Sequence, residues 1–148
     1  MGIINIVQNV KQIKKEDIIF VQVGNFYNCY GKDSYIISYL FNYKISVVEN
    51  NICMVSFPKT AYNKVISKLE NNKINYTILD KRNNYEEEEK SNNKNLNKYA
   101  EFYEKAKNEI SLKIRIEKIQ KYLLETKDKE TIFQIEKVIN ERRKIQSN

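Results

Sequence analysis

Apolar residues recur along this chain at two spacings, and the alternation between them outlines most of its elements. Over residues 4–15, Ile6, Val10 and Ile13 fall on one side of a predicted short amphipathic helix. Ile18-Ile19-Phe20-Val21-Gln22-Val23 is a nearly continuous β-branched run, the pattern of a buried central strand, and Gly24-Asn25 breaks it. Asp33-Ser34 offers N-cap chemistry for a helix through about Phe41, ending at Asn42. Residues 44–48 and 52–57 read as two strands joined by the turn Glu49-Asn50-Asn51. Pro58 stands at a helix start, where its missing N–H costs nothing, and the helix that follows sets Ala61, Val65 and Leu69 on one face until Asn71-Asn72 ends it. Residues 76–79 read as the last strand. The expected class is α/β, a mixed sheet in β-α-β-β-α-β order.

The C-terminal third has helical spacing throughout. Tyr99, Phe102, Tyr103, Ala106, Ile110, Ile114 and Leu123 mark one helix over residues 96–124, and Ile135, Val138, Ile139 and Arg142 mark a second over 131–145. Lys127-Asp128-Lys129 lies between them as a turn, which predicts a C-terminal helical hairpin. Between the two halves, residues 83–97 are polar and nearly devoid of apolar anchors, as in a flexible linker. The expected organisation is an α/β domain over 1–82, a linker over 83–97 and a helical hairpin over 98–148.

Charge sharpens this division. Residues 1–82 carry 11 basic and 6 acidic residues (net +5), 83–97 are net −2, and 98–148 carry 13 and 9 (net +4), for a total of +7. A basic balance favours polyanionic partners through counterion release, although the abundance of Lys, Asn, Ile and Tyr is also the bias of an AT-rich genome. No run of about 18 uncharged apolar residues is present, so no membrane span is expected. The N-terminus lacks a basic region and a cleavage site, and the expected location is cytoplasmic.

The inventory of reactive residues argues against an enzyme. The sequence has no histidine, which removes the commonest general base and the Ser–His and Cys–His nucleophile pairs. Its 3 glycines, Gly2, Gly24 and Gly31, build no phosphate-cradling loop. Cys29 and Cys53 form no metal-ligand motif, sit in apolar stretches and read as reduced, packed thiols. No cofactor or metal is expected.

Two segments carry a resemblance that covers roughly residues 15–82. Val23-Gly24-Asn25-Phe26-Tyr27-Asn28-Cys29-Tyr30-Gly31-Lys32-Asp33 resembles the Val-Gly-Asp-Phe-Tyr-Glu-hydrophobic-Phe-Gly-Glu-Asp signature of the N-terminal, mismatch-reading domain of the MutS DNA repair family. Met54-Val55-Ser56-Phe57-Pro58-Lys59-Thr60-Ala61, followed by Leu69 and Tyr76, resembles that family's Met-Ala-Gly-Val-Pro-Tyr-His-Ala block and its helix. In the family the Phe of a Phe-x-Glu motif stacks at a mispaired base and the Glu hydrogen-bonds it. The resemblance puts Phe26 at the ring position and Asn28 where the Glu stands, with Asn25 in place of the preceding Asp. Asn28 is shorter than Glu and neutral, and offers both donor and acceptor atoms. Losing two carboxylates beside a phosphate backbone favours general affinity over selectivity. The family's connector, lever, clamp and ATPase domains have no counterpart here. In size the chain resembles the small free-standing MutS-like proteins encoded beside reverse transcriptases in diversity-generating retroelements.

Two readings of function follow. In the first, the chain is a non-catalytic nucleic-acid-binding accessory protein that recognises mispaired or distorted duplex, DNA or RNA–DNA hybrid, in the service of a reverse transcriptase. Gly24, Asn25, Phe26 and Asn28 would meet the bases, and Lys32 and Lys59 the phosphates. In the second, the helical tail docks on a reverse transcriptase or helical-bundle partner, or on itself, through Tyr99, Phe102, Ile110 and Ile114, and Phe26, Tyr27 and Tyr30 are packing residues.

Overall fold

The computed structural model describes residues 2–91 and 96–147. The chain forms two compact units, Met1–Ile110 and Ser111–Asn148.

The first unit is a six-stranded mixed sheet with helices on both faces. Its elements are α1 (Ile3–Ile13), β1 (Ile18–Val23), β2 (Phe26–Tyr30), α2 (Lys32–Phe41), β3 (Ser46–Val47), β4 (Cys53–Pro58), α3 (Tyr62–Asn71), β5 (Tyr76–Asp80), β6 (Glu86–Lys90) and the first turns of α4 (Tyr99–Thr126). The strand order is β3-β4-β2-β1-β5-β6. β1 runs parallel to β5, Ile18 beside Tyr76, and every other pairing is antiparallel.

Pleating divides the strand residues between two cores. On one face α1 lays Val7 against Ile19, Val21 and Leu79, flanked by Ile3, Val10, Val23, Tyr30 and Tyr85. On the other, Phe20, Tyr27 and Phe57 pack ring to ring, and Tyr62 of α3 stacks on Tyr27 at 5.0 Å. With α1 on one face and α3 on the other, β1 is covered on both sides, and Ile18 to Val21 are fully buried as their uninterrupted apolar run predicts.

A buried carboxylate ties four elements together. Asp33, on α2, accepts from Lys11 Nζ of α1 (2.9 Å), the backbone N–H of Ile19 in β1 (3.0 Å) and the Tyr99 hydroxyl of α4 (2.5 Å). Lys11 also lies 4.7 Å from the centre of the Tyr99 ring. Burial pushes the Asp33 carboxyl above its ordinary range, and the ammonium of Lys11 works against that rise.

The structure differs from the sequence expectations at five places. First, β2 stands immediately after the Gly24-Asn25 turn, where no strand is expected. Second, α2 begins at Lys32 behind Gly31 with no side-chain cap: Asp33 is drawn into the core by its three donors, and Ser34 Oγ donates to Gly31 O. Third, the α1 face is Ile3–Val7–Val10, while Ile13, at the end of the helix, is 85% exposed. Fourth, Pro58 ends β4, and a single 3₁₀ turn, Lys59–Ala61, separates it from α3. Fifth, residues 83–97 contain β6. Its glutamates have no intrinsic taste for strand, but β5 would otherwise present an open edge, and pairing there satisfies backbone groups while every side chain stays in water. Residues 92–95 of the expected linker lie outside the described residues.

The helical tail also divides at another point. Tyr99, Ala106 and Ile110 are buried in the first unit, which therefore extends to residue 110 rather than 82. The second unit holds the rest of α4 and α5 (Lys129–Ser147). Lys127 takes φ +51 after α4, and Asp128 caps α5, accepting from the Thr131 N–H (3.1 Å), the Thr131 hydroxyl (2.8 Å) and the Tyr122 hydroxyl (2.9 Å). No described residue of this unit is buried.

Candidate nucleic-acid interface

A tight turn builds the site. Val23 pairs with Phe26 across a loop of two residues, Gly24 and Asn25, and Gly24 takes φ +61 at the first loop position, which a side chain would strain. The Asn25 carbonyl accepts the backbone N–H of Lys59 at 2.9 Å, binding this loop to the end of β4. Phe26 thus opens a strand directly behind a fixed turn, and its ring is 50% exposed.

Register decides which side chains join it. Tyr27 and Cys29 point into the α3-side core, so Phe26, Asn28 and Tyr30 share the opposite face, that of α1. In the neighbouring strand Pro58 lies beside Phe26 and Ser56 beside Asn28. The result is an exposed step of Phe26 and Pro58 with a polar strip, Asn28 and Ser56, one pleat behind it. Asn28 is half-buried and its Nδ2 lies 3.4 Å from the Tyr30 hydroxyl, a contact long enough to exchange for a base edge.

The expected phosphate contacts are treated differently by the fold. Lys59 is exposed at the Phe26 end, but it turns to the α3 side: the Gln22 amide oriented to satisfy both neighbours accepts Lys59 Nζ at 2.8 Å and donates to Glu88 Oε2 at 3.0 Å. Burial first, and then the Asp80 carboxylate, push the Glu88 carboxyl up. Lys32 lies beyond Gly31 at the far end of β2 from Phe26, where it sits over the Tyr103 ring at 5.1 Å. The structure therefore gathers Gly24, Asn25, Phe26 and Asn28, sets Lys59 at the same end with its ammonium on the opposite face, and leaves Lys32 apart.

Sequence reading missed Ser56, Lys81 and Arg82. The last two form the turn after β5, which lies against the C-terminal end of β1 and exposes both side chains. They are placeable in principle, because a parallel β1–β5 pair must bring both C-terminal ends together. α1, antiparallel to β1, and α3, which follows β4, also begin at this end and direct the positive ends of their dipoles there. The acidic strand β6 lies two places from β1, with Glu87 held by Lys14 at 2.6 Å and Glu89 by the Tyr62 hydroxyl.

Comparison with known protein families matches residues 1–101 to MutS domain I. The chain belongs to the MutS domain I family. The match runs past the two motif segments to take in β6 and the start of α4, in keeping with the burial of Tyr99. Residues 1–101 are thus a mismatch-recognition-like domain, and the Phe26 strand is the segment that resembles the MutS signature. A search of curated proteins finds no match. Among the described residues no helix is long and apolar enough to cross a membrane, and none group as a metal site.

The expected partner residues of the tail are dispersed by the fold. Tyr99 and Ile110 are buried in the first unit, Tyr99 by its hydroxyl on Asp33. Phe102 is half-buried with Lys105 over its ring at 4.8 Å, and Ile114 is half-buried in the second unit. Tyr99 and Ile110 are not available to a partner.

Proposed function

We propose that this protein is a non-catalytic nucleic-acid-binding accessory factor that recognises mispaired or distorted duplex, with Phe26 as the wedge and Asn28 as its polar partner. The observation that carries the reading is the half-exposed Phe26 ring behind the Gly24-Asn25 turn, with Asn28 on the same face. An aromatic side chain fixed by a sheet enters a base step at least cost where pairing is already weak. Lys81, Arg82 and the starts of α1 and α3 supply positive potential at that end without reading sequence. The lack of histidine and of a phosphate loop supports a role in binding rather than turnover. The duplex includes RNA–DNA hybrid, the product of a reverse transcriptase, which is the setting in which small MutS-like proteins are expected.

Fluorescence anisotropy with the purified chain tests this on four labelled probes: homoduplex, single mismatch, one-base bulge and RNA–DNA hybrid. The expected result is measurable affinity for all at low salt, tighter for the mismatch and bulge. No binding to any probe at low salt would remove the proposal. Equal binding to all four would reduce it to general duplex affinity.

A further inference from the structure

We infer that residues 111–147 are a dimerisation unit whose occupant is a second copy of this chain. The starting point is a deficit. The second unit buries no described residue, yet nine of its large apolar side chains are between 43% and 76% exposed. Its two helices, residues 111–126 of α4 and Lys129–Ser147 of α5, have no fully buried side chain between them, and helices of this length rely on packing for most of their stability.

The exposed residues are ordered along the helices. Leu112, Ile116 and Ile119 of α4 follow the 4-then-3 spacing of a packing seam, and Leu123 continues it. On α5, Ile135, Val138 and Ile139, with Glu130, Thr131 and Gln134, line an open groove of about 420 Å³. Two copies bring four helices, the number that closes such seams into a bundle.

Charge supports a second copy over a foreign helix and sets its direction. The first half of α5, residues 129–136, has one lysine against two glutamates (net −1), and residues 137–147 have four basic residues against Glu141 (net +3). Antiparallel pairing of α5 with its twin, about a twofold axis perpendicular to the helices, sets each negative half against the positive half opposite. The inference stands on the second unit alone and does not depend on nucleic-acid binding.

Light scattering on the full chain tests it. At about 50 µM the expected mass is twice the 17.7 kDa of the chain. Ile116→Lys with Ile119→Lys should weaken self-association at least about 100-fold, the loss typical of two buried anchors. Glu136→Lys, which leaves the apolar seam intact and is exposed, should weaken it less, and by a factor that shrinks as salt is raised. A wild-type chain that stays monomeric at this concentration overturns the inference, as does a dimer that persists unchanged in both variants. A dimer lost on Phe26→Ala but not on the α4 variants would place the contact in the first unit and equally overturn it.

Discussion

Phe26 and Tyr27 are adjacent aromatic residues with opposite fates, and the one-residue alternation of a strand is the reason. Tyr27 stacks on Phe57 and Tyr62, so Tyr27→Ala should cost about 3–5 kcal/mol of stability, the loss seen when a buried aromatic is removed. Phe26→Ala should leave the melting temperature nearly unchanged and weaken binding to mismatched or bulged duplex by about 1–3 kcal/mol, the scale of base–aromatic stacking. A collapse of stability in Phe26→Ala would put the ring in the core and withdraw the wedge. Asn28→Glu, restoring the carboxylate of the MutS motif, should raise the ratio of mismatch to homoduplex affinity in the same assay. Asp33 makes a different prediction, in pH. Its folded carboxyl is raised by burial, so the folded state holds the proton more tightly than the unfolded chain does. The stability Asp33 contributes is then greatest below the ordinary value of 3.8 and declines as pH rises through the raised one. Urea midpoints measured across that window should fall with pH less steeply in Asp33→Asn than in the wild type. An unchanged slope would show that Asp33 does not titrate there.

At the scale of elements, what was legible in the sequence follows from what each element buries. β1 announces itself because it is covered on both faces, and α3 because Val65 and Leu69 must meet the sheet together. β2 is harder to see: it is five residues long, and Gly24-Asn25 marks the end of one strand and the turn into the next with the same two residues. β6 has no apolar residue to betray it and exists through backbone pairing alone. The candidate site was legible in Phe26 and Asn28, which stand two positions apart in one strand, and hidden in Ser56, Lys81 and Arg82, which only register and the parallel crossover bring near. The boundary near Tyr99 was hidden for the same reason, since its hydroxyl meets a carboxylate 66 positions away. That contact has a measurable consequence. A chain ending at residue 97 loses Tyr99, Ala106 and Ile110 and leaves Asp33 with one donor fewer, whereas a chain ending at 110 keeps all three. The longer fragment should unfold cooperatively near the wild-type melting temperature, and the shorter one several degrees lower in a thermal scan. Equal melting temperatures would mean that the start of α4 adds nothing to the first unit.

On the scale of the whole molecule, the net charge of +7 is unevenly spent: glutamates crowd β6, while Lys81, Arg82 and two helix starts gather at the Phe26 end. Duplex affinity should therefore fall as salt rises from low to physiological levels, with a slope set by the few phosphates that end can reach rather than by the total charge. Titrations at several salt concentrations give that slope, and a value near zero would remove the electrostatic part of the reading. Self-association through the apolar seams should fall far less with salt, because only its charge complementarity is screened, so that one series separates the two surfaces. The parallel pairing of β1 with β5 also reaches back into the making of the protein. Ile18 finds its partner Tyr76 only 58 positions later. At roughly 5–20 residues per second of synthesis, the run Ile18–Val23 waits about 3–12 s before its inner edge can be covered. During that interval α1, already made, can cover one face of the run, and β2 one edge of it through a hairpin closed by two residues. The loop that presents Phe26 in the finished molecule is thus also what gives the apolar run of the nascent chain its first strand partner.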